Sequence, residues 1–209
     1  ATGALEGRLP VTRVVAGVRE AQVGLGTPAR VLVRLPNWLG DVIMARPLLH
    51  AVRAAWPQAS IFGVGPASVC EPVVDEGLVD ECAPRSRDAG GRSSALTRAR
   101  AWRPDTALVL PASFSSAWLA WRSGASVRVG FRGEWREALL TRALPRGARG
   151  ARHLSDEFLD LGEALGVAAV TVPALVPTAT GRAAAAEALA SAGIRAGEPY
   201  VVLAPRSAF

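Results

Sequence analysis

Lysine is absent from the 209-residue sequence: all 24 basic residues are arginine, against 18 acidic ones, for a formal charge of +6. Complete Arg-for-Lys usage is what a GC-rich coding sequence produces, so an isoelectric point near 11.0 is weak support for nucleic-acid binding. Where the charge sits matters more. Two cysteines, Cys70 and Cys82, and two histidines are too few, and wrongly spaced, for a zinc site. Reduced cytosolic thiols are the expectation. The longest uncharged run, 164–181, is broken by Pro173 and Pro177 and falls short of the roughly 20 apolar residues that a spanning helix needs. The start shows no Arg-led apolar core with a cleavage site, so no secretory leader is expected. G-x-G-x-x-G, G-x-x-x-x-G-K-[ST] and G-x-S-x-G are all missing, which disfavours a dinucleotide fingerprint, a Walker phosphate loop and acyl transfer.

Half of the residues are apolar, enough at this length for a real core. Residues 1–29 alternate Gly, Arg and short apolar pieces and read as an N-terminal extension. The pattern sharpens at 31–35, a β-branched and aliphatic run that stops at Pro36 and predicts a buried strand. A loop follows, then a helix with Met44, Leu48, Val52 and Ala55 on one face. Further strands are predicted at 61–65, 107–110 and 127–131, and further helices at 69–78, 96–102, 113–122 and 153–165. Such alternation indicates an α/β, Rossmann-like parallel sheet with helices on both faces, over residues 30–175. Residues 176–197 read as a linker and connecting helix, with the alanine-rich stretch 183–192 ending at Gly193. A new strand at 200–204 opens a second α/β domain, assigned to 198–209.

Two local constellations carry chemistry. The loop Pro36-Asn37-Trp38-Leu39-Gly40-Asp41 lies between the first strand and first helix, where open α/β sheets place their ligand crevice. Either Gly40 permits a tight turn and Asp41 caps the helix, or Asp41 serves as a general base towards a bound hydroxyl. The second constellation is Arg122, Arg128, Arg132 and Arg136, interleaved with Trp121, Phe131 and Trp135. Guanidinium forks match carboxylate and phosphate oxygens, while a solvated basic face and a single-stranded nucleic-acid platform are the other readings. Residues 122–152 hold eight arginines and two acids, the entire charge excess of the chain. Ser113, Ser115 and Ser116 could cap a helix or bond a ligand.

Three blocks, Arg34 to Asp41, Leu110 to Ala117 and Arg128 to Glu134, together resemble the ADP-heptose:lipopolysaccharide heptosyltransferases, glycosyltransferase family 9, and their heptosyltransferase II branch most. A fourth, Leu203 to Phe209, is similar to the start of the family's donor motif, with Arg206 and Ser207 standing where the family has Gly-Ala. The resemblance implies the N-terminal half of a GT-B fold, two Rossmann-like domains facing across a cleft, and inverting transfer of heptose from ADP-heptose to the Kdo/heptose-lipid A inner core. It implies Asp41 as the base. Asn37, Trp38, Gly40, Ser113, Ser115, Arg128, Arg132 and Arg136 would contact the acceptor, and Ser207 the donor. No cofactor, no obligatory metal and no nucleic-acid partner are implied, and the enzyme would work at the cytoplasmic face of the inner membrane, touching it through its lipid-linked acceptor. This half alone would not catalyse transfer. The alternative is a non-catalytic α/β module that binds an anionic glycan or nucleic acid through the Arg cluster.

Overall fold

The computed structural model of the chain describes residues 26–203 apart from 87, 149 and 196. Most of the N-terminal extension, and Arg206 and Ser207 of the fourth block, lie outside the described residues. Two compact units divide between Val172 and Pro173. In the first, the chain runs through β1 (Arg30–Arg34), α1 (Leu39–Ala55), β2 (Ser60–Gly65), α2 (Ala67–Asp75), β3 (Glu81–Pro84), α3 (Ala89–Trp102), β4 (Thr106–Val109), α4 (Phe114–Arg122) and β5 (Val127–Phe131). A 3-10 turn (Arg136–Leu139), β6 (Arg142–Leu144) and α5 (Leu154–Glu163) complete it.

All six strands are parallel, in the order β3-β2-β1-β4-β5-β6. Because the sheet is covered on both sides, its middle strands are continuous buried aliphatic runs rather than alternating ones. Period-two geometry still divides their side chains between two cores. Val31 and Val33 pack with Leu48, Leu49 and Val52 of α1 and Phe158 and Leu161 of α5. Leu32 packs on the other side with Ala95 and Ala99 of α3 and Ala117 and Ala120 of α4. The chain winds outward from β1 to β3, then crosses back to β4 and winds the other way. The reversal between β1 and β4 is a topological switch point, and the crevice outside the carboxyl ends of these strands is where such sheets bind ligands.

Several sequence expectations needed adjustment. Helix α3 starts at Ala89 rather than at 96, because Asp88 caps it by accepting the Gly91 N–H at 2.8 Å. Gly90, Gly91 and the two serines after them had hidden that start. The edge strands β3 and β6 were not foreseen: both are short and lack a β-branched run. The expected strand at 200–204 is not formed over its described residues 200–203, which are exposed. A strand needs a neighbour to complete its hydrogen-bond ladder, and no described strand pairs with this segment. In the second unit, α6 (Ala179–Ser191) is capped by Thr178, whose Oγ1 accepts the Gly181 N–H at 3.0 Å.

The cysteines are also corrected. Cys70 on α2 and Cys82 on β3 form a disulfide with their Cα atoms 5.5 Å apart, not two reduced thiols. Spacing along the chain had given no sign that α2 packs beside β3. Gly63 on β2 leaves the room: a Cβ there would stand 2.9 Å from the Cys82 sulfur.

Candidate active site

The first block forms the loop from β1 into α1. Trp38, 47% exposed, occupies the position before the helix, and Asp41 lies in its first turn rather than at the cap. Asp41 is half-buried, and its carboxylate makes no hydrogen bond or ion pair with any described residue. The capping role weighed for it is therefore not the one it plays. Gly40 is likewise not required by a tight turn: it is helical, without positive φ, and a Cβ there would meet nothing within 4 Å. A bare, exposed glycine beside an unengaged carboxylate leaves the positive end of α1 open to an incoming group.

Arg34, at the end of β1, is 1% exposed. Its guanidinium donates to the carbonyl of Leu35, to that of Val64 at 3.2 Å, and to Asn37 Oδ1 at 2.6 Å, so it holds the exposed Asn37 in place. The Nε atoms of Arg34 and of Arg85, the residue following β3, are buried without hydrogen-bond partners, and neither guanidinium meets a carboxylate among the described residues. Burial, and then the neighbouring Arg85 charge, push Arg34 down to about 10. Burial, and then Arg92, push Arg85 down as well. Asn37, Pro66, Ala67, Pro84, Arg85 and Ser86 line a cavity of about 310 Å³ at the carboxyl ends of β1, β2 and β3. A larger one, about 350 Å³, opens beside Asp105 and Ser126 at the opposite, amino-terminal edge of the sheet. The smaller cavity adjoins the Asp41 loop and holds the uncompensated positive charge, so it is the better candidate for an anion.

The second and third blocks are tied to each other. Gly133, Glu134 and Trp135 take consecutive positive φ values of 128°, 52° and 60°. That turn aims the Glu134 carboxylate at α4, where it accepts the Phe114 N–H at 2.9 Å. Ser113, although it precedes α4, makes no capping bond; its hydroxyl lies 2.8 Å from that of Ser116 and 3.4 Å from that of Ser115. Arg136 is fully buried and donates to the carbonyls of Pro111 at 2.5 Å and Ser113 at 3.1 Å. Burial pushes its pKa down, and the Glu134 and Glu137 charges oppose that. Gly130 makes the space, since a Cβ there would stand 2.6 Å from an Arg136 nitrogen.

The four arginines of the sequence cluster do not converge. Arg132 follows β5 at the carboxyl edge, exposed, with its Nε donating to the Ala143 carbonyl at 3.0 Å. Arg136 is at the same edge but inside the protein, as a backbone clamp, which corrects the surface contact expected of it. Arg128 is the second residue of β5, near the opposite edge, where it donates to the carbonyls of Leu139 at 2.7 Å and Ala125 at 2.5 Å. Arg122 ends α4 at that edge too, over the ring of Trp118. The acceptor contact expected of Arg128 is thus removed from the Asp41 loop by the length of the strand, roughly 10 Å at 3.3 Å per residue. A binding module built on the four arginines loses its basis with them. Asp41, Asn37, Trp38, Gly40, Ser113, Ser115 and Arg132 do lie at one edge, on the loops after the strands or in the first turns of α1 and α4. Two cations were missed: Arg34, whose signal was a charge inside an aliphatic strand, and Arg85, which had none.

A family model for glycosyltransferase family 9 (heptosyltransferase) matches residues 95–209. Lipopolysaccharide heptosyltransferase 2 of Escherichia coli K12 is 35% identical over 117 residues, 53% of this chain and 33% of that protein. The Salmonella typhimurium LT2 protein of the same name is 34% identical over 120 residues, 54% of this chain and 34% of that protein. Among solved structures, a glycosyl transferase family 9 protein from Veillonella parvula superposes with a TM-score of 0.68 at 24% identity, over 81% of this chain and 51% of that one. E. coli ADP-heptose LPS heptosyltransferase II gives 0.63 at 26% identity, over 80% and 51%. The chain thus spans about half the length of these solved relatives.

Proposed function

Because the chain belongs to glycosyltransferase family 9, the heptosyltransferases, we propose that it is the acceptor-binding half of an inverting enzyme of lipopolysaccharide synthesis that moves heptose from ADP-heptose to the inner core. The observation that carries this reading is the unengaged Asp41 carboxylate in the first turn of α1, at the switch point of the sheet. In the proposed reaction an acceptor heptose hydroxyl gives its proton to Asp41 and its oxygen attacks the anomeric carbon of the donor. The new C–O bond forms as the bond from that carbon to the diphosphate breaks, and ADP leaves from the opposite face. No metal is required of this half. The donor site belongs to the second domain, in which Ser207 is a candidate contact.

Acceptor phosphates and acidic sugars are assigned to the cavity of Arg85 and Ser86, backed by Arg34 through Asn37, and to Arg132, with Trp38, Gly40, Ser113 and Ser115 along the same edge. An anion there would offset the cost of burying guanidinium groups without a carboxylate. The work would be done at the cytoplasmic face of the inner membrane, where such an acceptor is presented. The test is a transfer assay on the complete protein with ADP-heptose and defined inner-core acceptors. Arg85→Ala should raise the acceptor KM by about tenfold, the loss of one charge-assisted contact, and leave the donor KM unchanged. Absence of transfer to every inner-core acceptor would overturn the proposal, and an unchanged acceptor KM would remove Arg85 from it.

A further inference from the structure

Helix α4 is amphipathic in an unusual sense. Its inward residues, Ser116, Ala117, Leu119 and Ala120, are small or aliphatic and buried. Its outward stripe carries the bulk: Phe114, Trp118 and Trp121 are 43%, 41% and 43% exposed. Spacings of four and three put the three rings in one row. Their centroids lie 6.2 and 5.0 Å apart, and the Arg122 guanidinium sits 5.8 Å from the Trp118 ring. Trp135, 93% exposed, stands on the turn that caps the same helix. A contiguous aromatic row on a surface marks an interaction site, whereas single exposed rings do not.

The helices that bear and flank the row carry charge of one sign, the acids that approach them being Glu134 at the Phe114 N–H and Glu81 beside Arg98. Helices α3 and α4 share a face of the sheet and carry Arg92, Arg98, Arg100 and Arg122, with no acidic residue. Asp105, the one acid from 89 to 126, is engaged by the backbone N–H groups of Ala29 and Arg30 at 2.7 and 2.9 Å. The helices of the other face, α1, α2 and α5, hold seven acids against two arginines. Tryptophan pairs an apolar body with a polar N–H and favours the headgroup level of a bilayer. Arginine adds attraction to acidic headgroups. We propose that the α3/α4 face is a docking surface for an anionic lipid bilayer, with Phe114, Trp118 and Trp121 seated among the headgroups. The protein then holds the membrane by its own surface and not only through a lipid-linked acceptor. The row starts at Phe114, beside Ser113 at the candidate site, so a docked molecule keeps that edge next to the lipid.

This inference stands on the surface and is independent of the transfer reaction. It is tested with the full-length protein and vesicles of phosphatidylcholine alone or mixed with phosphatidylglycerol, by co-sedimentation and tryptophan fluorescence. Binding is expected only to the mixed vesicles, with a blue shift, weakening as salt rises. The double variant Trp118→Ser, Trp121→Ser should lower vesicle binding at least tenfold while turnover on a water-soluble, deacylated acceptor persists. The charge variant Arg100→Glu, Arg122→Glu, which leaves the rings in place, should also lose binding to mixed vesicles, and guards against a Trp variant that fails to fold. No vesicle binding by the wild type, equal binding by either variant, a dimer that the Trp variant dissociates, or binding to single-stranded DNA in place of vesicles would each overturn the proposal.

Discussion

Replacing Arg136 by Ala asks whether the third sequence block is a surface or a clamp. The side chain is fully buried, reaches the carbonyls of Pro111 and Ser113, and follows the turn whose Glu134 caps α4. A hydrogen bond from a charged donor contributes about 1.5–3 kcal/mol net. Two of them, reduced by the cost of keeping a guanidinium out of water, leave a loss of about 3 kcal/mol, the lower end of what breaking a buried charged contact costs. At 2–4 °C per kcal/mol for a domain of this size, the melting temperature should fall by roughly 6–12 °C. Arg136→Lys should recover part of the loss, because both bonds come from one nitrogen, Nη1, which an ammonium can replace only as far as its shorter stem reaches the same point. Gly130→Ala, which puts a methyl against the guanidinium and within 3.1 Å of the Val109 carbonyl, should cost about 1–3 kcal/mol by overpacking. The assay is a thermal melt of the complete protein beside acceptor kinetics. An unchanged melt with a raised acceptor KM would refute the clamp and restore Arg136 to the acceptor surface.

Two further outcomes follow from the packing. Reducing the Cys70–Cys82 bond, or Cys70→Ala with Cys82→Ala, should cost about 3 kcal/mol, the loop-closure value for a short ring; thiol labelling of unreduced protein checks that the bond is present, and two labelled thiols would contradict it. Glu76 is held below its ordinary value of 4.5, first by hydrogen bonding to Arg46 and then by His50, against the opposing effect of burial. Its stabilising contribution is therefore complete above that value and is lost as pH falls through the lowered one. Glu76→Gln should flatten the acid limb of a stability-against-pH curve and lower stability by a constant amount at neutral pH and above, with the slope there unchanged.

Much of the fold was legible because buried parallel strands and their helices leave separate marks. The run 31–35 and the spacing Met44, Leu48, Val52 announced β1 and α1, and 127–131 matched β5 throughout. What escaped was set by long-range packing. Edge strands of three or four residues have no periodicity to show, and the cysteines needed α2 beside β3 before they could pair. The site divided in the same way. Asn37 and Ser113 sit on loops that follow strands directly, and Gly40 and Asp41 in the helical turn that comes next, so their edge of the sheet could be read from order alone. The arginines could not be placed so, because Arg128 and Arg132 are four residues apart on opposite ends of one strand, and Arg136 turns inward only because Gly130 makes room.

The central claim rests on Asp41, and Asp41→Asn tests it most directly. The amide keeps the size of the side chain but takes up no proton. In the complete protein, with ADP-heptose and an inner-core acceptor, kcat should fall by about 10²–10⁴, the span for loss of a positioned general base, with the melting temperature and both KM values nearly unchanged. Turnover near that of the wild type, in a variant that folds as well, would contradict the account.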